Sequence, residues 1–221
     1  MNVNLQTYPC VELGVEDEAH DDIYDSQPKP NKRDLYRMDA SRPCDFSFKK
    51  IQALNVFEQH TIEAMIAQRP RAFRVGSIPR RGRENKYLTR SIWLNNNRLT
   101  NLSYLKNFVD SVLVYPAALS WLDFSFNRIQ DVDDSVAEFP NLKILYFHGN
   151  DIKTLRNISK LRRLEKLRNV TFHGNPIERT IPQYRNFVVH LLPQIHNLDF
   201  ITVTKSEKES PEPAGFKRMS E

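Results

Sequence analysis

Four segments of this chain repeat one pattern of residues around an asparagine. In each segment, apolar residues stand five and three positions before the asparagine and two positions after it. The asparagines are Asn97, Asn127, Asn150 and Asn175, separated by 30, 23 and 25 residues. Repeats of this length are typical of proteins that stack similar units side by side, because one unit cannot bury its apolar face alone.

The spacing within each repeat predicts a short strand followed by a turn. Two apolar residues two positions apart point to the same side of a strand. The asparagine comes where the chain leaves the strand, and its amide group both donates and accepts hydrogen bonds. Stacked asparagines can therefore satisfy backbone groups of their own coil and of the next one. We predict a structural ladder formed by Asn97, Asn127, Asn150 and Asn175.

These features predict an α/β solenoid. A parallel β-sheet lines its concave face, its convex side is helical or irregular, and extended N- and C-terminal tails flank it. The long first spacing leaves room for a helix over residues 102–115, where apolar residues recur at helical period. The predicted domains are an extended acidic N-terminal arm (1–45), a capping helix and basic loop (46–88), four repeats plus a C-terminal cap (89–204), and a C-terminal tail (205–221).

Side chains between the inward-facing apolar residues point outward from the predicted sheet. Trp93, Trp121 and Tyr146 come together there as an exposed aromatic patch. Since Trp and Tyr are enriched where proteins bind each other, the patch favours a partner contact. A second interpretation, in which the N-terminal region folds back over the patch, stays open. The residues predicted to bind protein on this face are Trp93, Trp121, Asp123, Tyr146, His148, Thr171 and His173.

Two of these residues, His148 and His173, are neighbours in one column of the predicted sheet. A metal site would need further ligands, and Asp123 and Asp199 are the nearest candidates. We therefore interpret the two histidines as a surface pair and predict no metal site.

Charge is concentrated in two segments of opposite sign. Residues 11–25 hold seven Asp and Glu residues and no Lys or Arg, whereas residues 69–90 hold eight Lys and Arg residues against one Glu. The two segments are either separate partner contacts or face each other. The basic segment suits an acidic protein surface such as a tubulin tail, or is a solvated linker. Nucleic acid is the weakest interpretation, because few aromatic residues are interleaved with the charges. The basic patch consists of Arg69, Arg71, Arg74, Arg80, Arg81 and Arg83.

The sequence carries none of the common signatures of catalysis. Six glycines leave little material for a phosphate-binding loop, and neither a zinc spacing nor a nucleophile elbow occurs. The two cysteines, Cys10 and Cys44, do not resemble a disulfide framework. We predict no enzymatic activity, no cofactor and no small-molecule substrate. No signal peptide and no apolar stretch long enough for a membrane span is evident, so we predict a cytoplasmic protein without a membrane contact.

The chain resembles the leucine-rich repeat family over about residues 43–219, beginning at PCDFSFKKI. The resemblance implies a non-enzymatic repeat protein, related to repeat proteins of cilia. It further implies a structural adaptor of the ciliary or flagellar axoneme, with tubulin or axonemal complex subunits as partners. The alternatives are a soluble regulator similar to phosphatase regulators and a splicing-type repeat protein that helps a partner to bind RNA. The segments that carry the resemblance are SIWLNNNRL, LSWLDFSFNRI, LKILYFHGNDI, LRNVTFHGNPIE, YRNFVVHLLPQI, LDFITVTK and FKRM.

Overall fold

The computed structural model shows a solenoid of stacked parallel strands, which confirms the predicted fold class. The acidic segment 11–25 and the basic residues Arg69, Arg71 and Arg74 lie outside the described residues. The structure describes residues 29–38, 42–55, 57, 59–67, 78–156 and 158–216.

The strands are β1 (Cys44–Asp45), β2 (Arg80–Arg81), β3 (Tyr87–Leu88), β4 (Ser91–Trp93), β5 (Trp121–Asp123), β6 (Ile144–Tyr146), β7 (Asn169–Thr171), β8 (Asn197–Leu198) and β9 (Ile201–Thr202). The main sheet has the order β1-β4-β5-β6-β7-β8-β9. Its strands are parallel from β1 to β8, and β9 turns back antiparallel on β8. Strands β2 and β3 form a separate antiparallel ribbon.

The convex side follows the repeat lengths. The longest repeat holds a helix, whereas the shorter repeats after Asn127 and Asn150 leave room for 3-10 turns. The α-helices are α1 (Lys32–Arg37), α2 (Gln59–Ala67), α3 (Leu105–Val112), α4 (Pro176–Thr180), α5 (Tyr184–Leu191) and α6 (Lys205–Lys208), and 3-10 turns span Arg83–Asn85, Pro116–Ala118, Asp134–Glu138 and Ile158–Arg163. Helix α3 lies inside the predicted segment 102–115 and turns its apolar side into the core.

The ladder asparagines join adjacent coils of the solenoid. The Asn150 amide nitrogen donates to the carbonyl oxygens of Phe124 and Phe147 at 3.0 and 2.9 Å. Its side-chain oxygen accepts from the N–H of Ile129 at 3.0 Å. Each amide therefore ties its own coil to the preceding one. Equivalent bonds are made by Asn97, Asn127 and Asn175.

A residue with left-handed backbone precedes each ladder asparagine, where the chain turns sharply off the strand. The residues are Asn96, Phe126, Gly149 and Gly174, with φ of 56°, 53°, 67° and 71°. At Gly149 a Cβ atom would lie 2.7 Å from the Phe126 ring, so this position needs glycine for space as well as for backbone conformation.

The solenoid begins one coil earlier than the sequence predicted. In β1, Cys44 pairs with Ile92 of β4. Lys49 takes the ladder position, and its backbone N–H donates to the side chain of Asn97 at 2.9 Å. The predicted boundary after residue 45 therefore divides this coil. The predicted start of the repeats at residue 89 leaves the coil out of the repeat domain. The coil keeps the apolar spacing of a repeat, but lysine replaces the asparagine, which is why the pattern missed it.

Helix α2 packs against this first coil. Ile62 and Ile66 are buried in the same apolar core as Cys44 and Phe46. The helix begins only at Gln59 within the segment 46–88 predicted to hold the capping helix and the basic loop, because residues 44–51 form the strand and its turn. The apolar end of the solenoid is thereby shielded from water.

Part of the predicted basic loop is an ordered ribbon. Arg80 and Arg81 pair with Leu88 and Tyr87 in the β2–β3 ribbon. The ribbon forms because Tyr87 and Leu88 bury their side chains. The loop prediction is therefore wrong for residues 80–88.

The described part of the C-terminal tail folds back on α5, although the sequence predicted an extended tail. Arg185 pairs with Glu207 at 2.6 Å, and Phe216 stacks on Phe187 with ring centroids 6.0 Å apart. Hydrogen bonds from Arg185 and then from the backbone of Thr204 lower the pKa of Glu207 to about 2. The tail therefore covers an apolar side of α5 that a bare end would expose.

We expect Asn150→Leu to lower the free energy of unfolding by about 3 kcal/mol or more. The substitution orphans two buried carbonyls and one buried N–H, and each orphaned group costs about 1–3 kcal/mol. Urea unfolding of the full chain, followed by circular dichroism, measures the loss. The control is Asn101→Leu at an exposed position, for which we expect a loss below about 1 kcal/mol. Equal losses in the two variants would show that the ladder bonds do not hold the coils together.

Candidate protein-binding site on the concave face

The strand register sets the outward residues of the concave face in rows. Because successive side chains of a strand alternate between its two sides, each row collects one residue from every coil. One row consists of Trp93, Asp123, Tyr146 and Thr171, and the other consists of Ser91, Trp121, Ile144, Asn169 and Asn197.

An aromatic cluster, defined here as Trp93, Trp121, Tyr146 and Phe200, occupies this face. Ring centroids are 5.2 Å apart for Trp93 and Trp121, 6.0 Å for Trp121 and Tyr146, and 5.3 Å for Tyr146 and Phe200, all edge to face. Such pairs are favourable beyond the area that they bury. The prediction of an exposed patch is corrected: Trp93 and Tyr146 are only 7% and 4% exposed, and Trp121 is half-buried.

Phe200 reaches the cluster through a tight turn that the repeat pattern did not predict. Asp199 and Phe200 both have left-handed backbone, with φ of 54° and 65°, and they reverse the chain between β8 and β9. Leu198 and Phe200 keep the two-residue apolar spacing of the repeats, and in a further repeat this spacing would turn Phe200 inward. Instead it is 39% exposed and packs edge-on against Tyr146, His148 and His173.

The polar residues predicted to bind protein are largely engaged within the chain. Asp123 is buried and accepts hydrogen bonds from the backbone N–H and hydroxyl of Ser125 at 2.9 and 2.6 Å. Nδ1 of His148 lies 2.9 Å from the Thr171 hydroxyl, and its ring stacks on His173 at 4.7 Å. Among the described residues, no group of three or more His, Cys, Asp and Glu side chains is arranged to hold a metal ion.

Buried N–H donors without an acceptor gather around β4 and β5. In the part of the chain that the structure describes, they are the indole nitrogens of Trp93 and Trp121, the amide nitrogen of Asn95 and Nε of Arg90. The side-chain oxygen of Asn95 accepts from the Ser47 hydroxyl, so only its nitrogen is left over. Buried polar groups are nearly always paired in native proteins, so this concentration distinguishes the surroundings of β4 and β5 from the rest of the described chain.

Asp199 fastens the C-terminal end of the face. One carboxylate oxygen accepts from the backbone N–H groups of Phe172 and His173 at 2.6 and 2.9 Å, and the other accepts from the Tyr184 hydroxyl at 3.0 Å. Burial raises the pKa of Asp199, but hydrogen bonds from the His173 side chain, these two backbone groups and Tyr184 outweigh it. The pKa is therefore held below the usual 3.8.

We expect Asp199→Asn to lower the free energy of unfolding by about 1–3 kcal/mol at neutral pH, because charge-assisted hydrogen bonds become neutral ones. Asparagine tolerates the left-handed backbone, so the loss reports the charge. Since the folded pKa is depressed, this stability is present above the unfolded value and is lost as the pH falls through the folded one. Urea unfolding at pH 7, 5 and 3 should show the difference from the wild type shrinking at the lowest pH. A difference independent of pH would contradict this.

The predicted basic patch is divided in the structure. Arg81 pairs with Glu63 at 2.6 Å, Arg83 lies over the Tyr115 ring at 5.8 Å, and Arg80 is exposed. Two of its three described members are therefore already used by contacts within the chain.

A second basic surface, which the sequence analysis missed, lies on the convex side between β6 and β7. Residues 153–168 hold seven Lys and Arg residues against one Glu. The apolar residues of this segment point into the core, so the Lys and Arg residues between them lie on the outside. This alternation of apolar and basic residues in the sequence could have indicated the surface. We call its exposed members, Lys153, Arg156, Arg162, Arg163 and Lys166, the basic ridge.

The stacked parallel coils and their asparagine ladder define a leucine-rich repeat protein. Residues 111–218 match the family model described as leucine-rich repeat. The chain is 38% identical over 192 residues to leucine-rich repeat-containing protein 51 of Bos taurus, which covers 86% of this chain and 93% of that protein. The Homo sapiens protein of that name is 37% identical over the same length. The chain therefore belongs to the leucine-rich repeat family and, within it, to the group of leucine-rich repeat-containing protein 51.

Two further similarities are more partial. The centrosomal protein of 72 kDa of Mus musculus is 33% identical over 98 residues, 44% of this chain and 15% of that protein. The crystal structure of the Drosophila melanogaster SNF/U2A' complex contains a chain with a TM-score of 0.47 and 25% identity, covering 60% of this chain and 72% of that one. None of the helices in the described part of the chain is long and apolar enough to cross a membrane.

Proposed function

We propose that this chain is a non-catalytic protein-interaction scaffold that acts as a structural adaptor of the ciliary or flagellar axoneme. The observation that carries the proposal is the aromatic cluster with its unpaired indole N–H groups. Aromatic side chains with a polar edge contribute most of the binding energy at protein interfaces. A partner that covers the half-buried Trp121 and brings oxygen acceptors would complete this surface.

Two observations besides the resemblance to ciliary repeat proteins support the proposed localisation to the axoneme. The Mus musculus relative is by its name a centrosomal protein, and centrosomes, like axonemes, are built around microtubules. The basic ridge complements acidic protein surfaces such as tubulin tails, which attract clustered Lys and Arg residues electrostatically.

The proposal predicts that the tagged full chain, expressed in ciliated cells, stays with axonemes that have been washed with salt. We expect Trp121→Ala to release it, because losing an aromatic anchor costs about 2 kcal/mol, roughly 30-fold in affinity. Immunoblots of the axonemal and soluble fractions measure the retention.

The control for this experiment is Tyr104→Ala, since Tyr104 is 65% exposed and lies at the start of α3 on the convex side. Thermal unfolding of both variants checks that the fold is intact. Recovery of the wild type wholly in the soluble fraction would overturn the axonemal proposal in favour of a soluble regulator. Retention of Trp121→Ala at the wild-type level would overturn the role of the concave face.

The basic ridge gives a separate prediction. We expect the triple variant Arg156→Glu, Arg162→Glu and Arg163→Glu to lose co-sedimentation with microtubules, and wild-type binding to weaken as NaCl screens the charges. The matched control reverses the same number of exposed charges elsewhere and should keep its binding. Equal losses in the two variants would show that net charge, and not the ridge, is responsible. The control variant carries Arg98→Glu, Arg128→Glu and Arg179→Glu.

A further inference from the structure

The side of the solenoid where the chain turns off the sheet carries a surface outside the concave face. In each of the first three coils, the residues directly before and after the ladder position reach the surface. Because the coils are stacked in register, these residues form two parallel rows. We call the six residues the turn edge, and they are Phe48, Lys50, Asn96, Arg98, Phe126 and Arg128.

One row of the turn edge consists of three exposed cations, Lys50, Arg98 and Arg128. Backbone bonds fix their register, since the N–H of Arg98 donates to the Ile51 carbonyl at 2.8 Å. The N–H of Arg128 donates to the Leu99 carbonyl at the same distance. Neighbouring coils are about 4.8 Å apart, so the row spans about 10 Å. No ion pair within the described part of the chain involves these three side chains.

The other row contains two phenylalanines that the fold does not explain. Phe48 and Phe126 are 48% and 51% exposed. Their φ angles are 60° and 53°, a left-handed backbone that is unfavourable for bulky side chains. In the coil between them, Asn96 occupies the same position, and asparagine tolerates this backbone well. An exposed ring on strained backbone costs free energy twice, so strain at these positions points to a use of the rings beyond folding.

The ring of Phe126 is held as a fixed platform. Its edge meets the His148 ring, with the centroids 5.1 Å apart, and it lies closely over Gly149. Half of the side chain still reaches solvent. A fixed and half-exposed ring can stack against another flat group without being ordered first.

Uncharged polar side chains lie beyond the cations. Gln52, Thr100 and Gln130 are exposed two positions further along the same coils, and each can both donate and accept hydrogen bonds. Exposed carboxylates mark the end of this surface, because Asp131 follows Gln130 and Asp151 takes the place of the cation in the fourth coil. The surface is therefore positive over the first three coils only.

This combination of groups matches a single strand of nucleic acid. Clustered Lys and Arg residues attract its phosphates, and its bases stack on aromatic rings. At about 3.4 Å of strand per phosphate, the row of cations spans about three phosphates. An acidic protein segment would also pair with the cations but offers few flat groups to the rings. Aromatic residues interleaved with the charges, which are few in the basic segment 69–90, are present here.

We propose that the turn edge binds single-stranded nucleic acid. Lys50, Arg98 and Arg128 contact successive phosphates, and Phe48 and Phe126 stack on bases. The binding has little sequence preference, because every base has a flat face. This activity goes beyond the proposed scaffold function and does not depend on it.

Fluorescence anisotropy of a labelled RNA strand of about 12 nucleotides, titrated with the full chain, measures this binding. The first variant combines Lys50→Gln, Arg98→Gln and Arg128→Gln. Each lost phosphate contact makes the slope of log K against log salt less steep by about 0.7. We therefore expect the slope to change by about 2 and the affinity to fall about 50-fold at about 0.15 M NaCl.

A matched control removes three exposed cations of the basic ridge through Arg156→Gln, Arg162→Gln and Arg163→Gln. Its affinity should change by less than about threefold, because salt screens charges that do not touch the strand. Equal losses in the two variants would show that net charge attracts the RNA and would overturn the site.

A second variant, Phe48→Asn with Phe126→Asn, tests the rings. Asparagine occupies the equivalent position at Asn96, so we expect the fold to survive, and thermal unfolding checks this. The affinity should fall at least about fivefold, because stacking on one base contributes about that factor or more. A loss of thermal stability with unchanged affinity would assign the rings a structural role and contradict the proposal.

The ligand itself is tested with three further probes. A DNA strand of the same length distinguishes the two sources of nucleic acid, since the tighter of the two is the better candidate ligand. Absence of binding to both strands at about 100 µM protein, the weak end of non-specific binding, would overturn the proposal. Displacement of the RNA by a polyglutamate peptide as effectively as by unlabelled RNA would replace it with an acidic protein partner.

Discussion

The three-way bonding of each ladder asparagine is the interaction on which the solenoid depends. A turn that leaves a strand inside a stacked coil buries carbonyl and N–H groups that water cannot reach. The Asn150 amide pairs with Phe124 and Phe147 on its donor side and with Ile129 on its acceptor side, so one side chain serves two coils. Because every coil is bonded to the next in the same way, the strands keep one register, and apolar residues stack in continuous rows beneath the sheet.

The same register decides what the concave face presents. Side chains that alternate outward on each strand are set into rows, so aromatic residues from separate repeats meet as one cluster. Its ring edges pack on each other, but packing of rings provides no acceptor for the indole N–H groups of Trp93 and Trp121. The centre of the face is therefore aromatic, and these two ring N–H groups have no acceptor within the described part of the chain.

The two ends of the solenoid are closed in different ways. At the N-terminal end, the first coil has Lys49 where the later coils have the ladder asparagine, and the backbone N–H of Lys49 bonds to Asn97. Helix α2 covers the apolar side of this coil. At the C-terminal end, the chain reverses at Asp199, so β9 pairs with the last parallel strand and blocks further stacking. The carboxylate that holds this reversal also brings Phe200 to the concave face, so a structural cap contributes to the candidate binding surface.

The sequence by itself determined the repeat, the ladder, the parallel sheet and the rows of the concave face, because all of these follow from spacing within a segment of a few residues. It did not reveal the first coil, since Lys49 replaces the asparagine while its backbone does the bonding, and backbone bonding leaves no mark in the sequence. Only the tertiary structure decided that Trp93 and Tyr146 are buried, that Phe200 joins them, and that the unpaired donors gather beside β4 and β5. Burial and pairing depend on which distant segments arrive at a surface, and no local pattern records that.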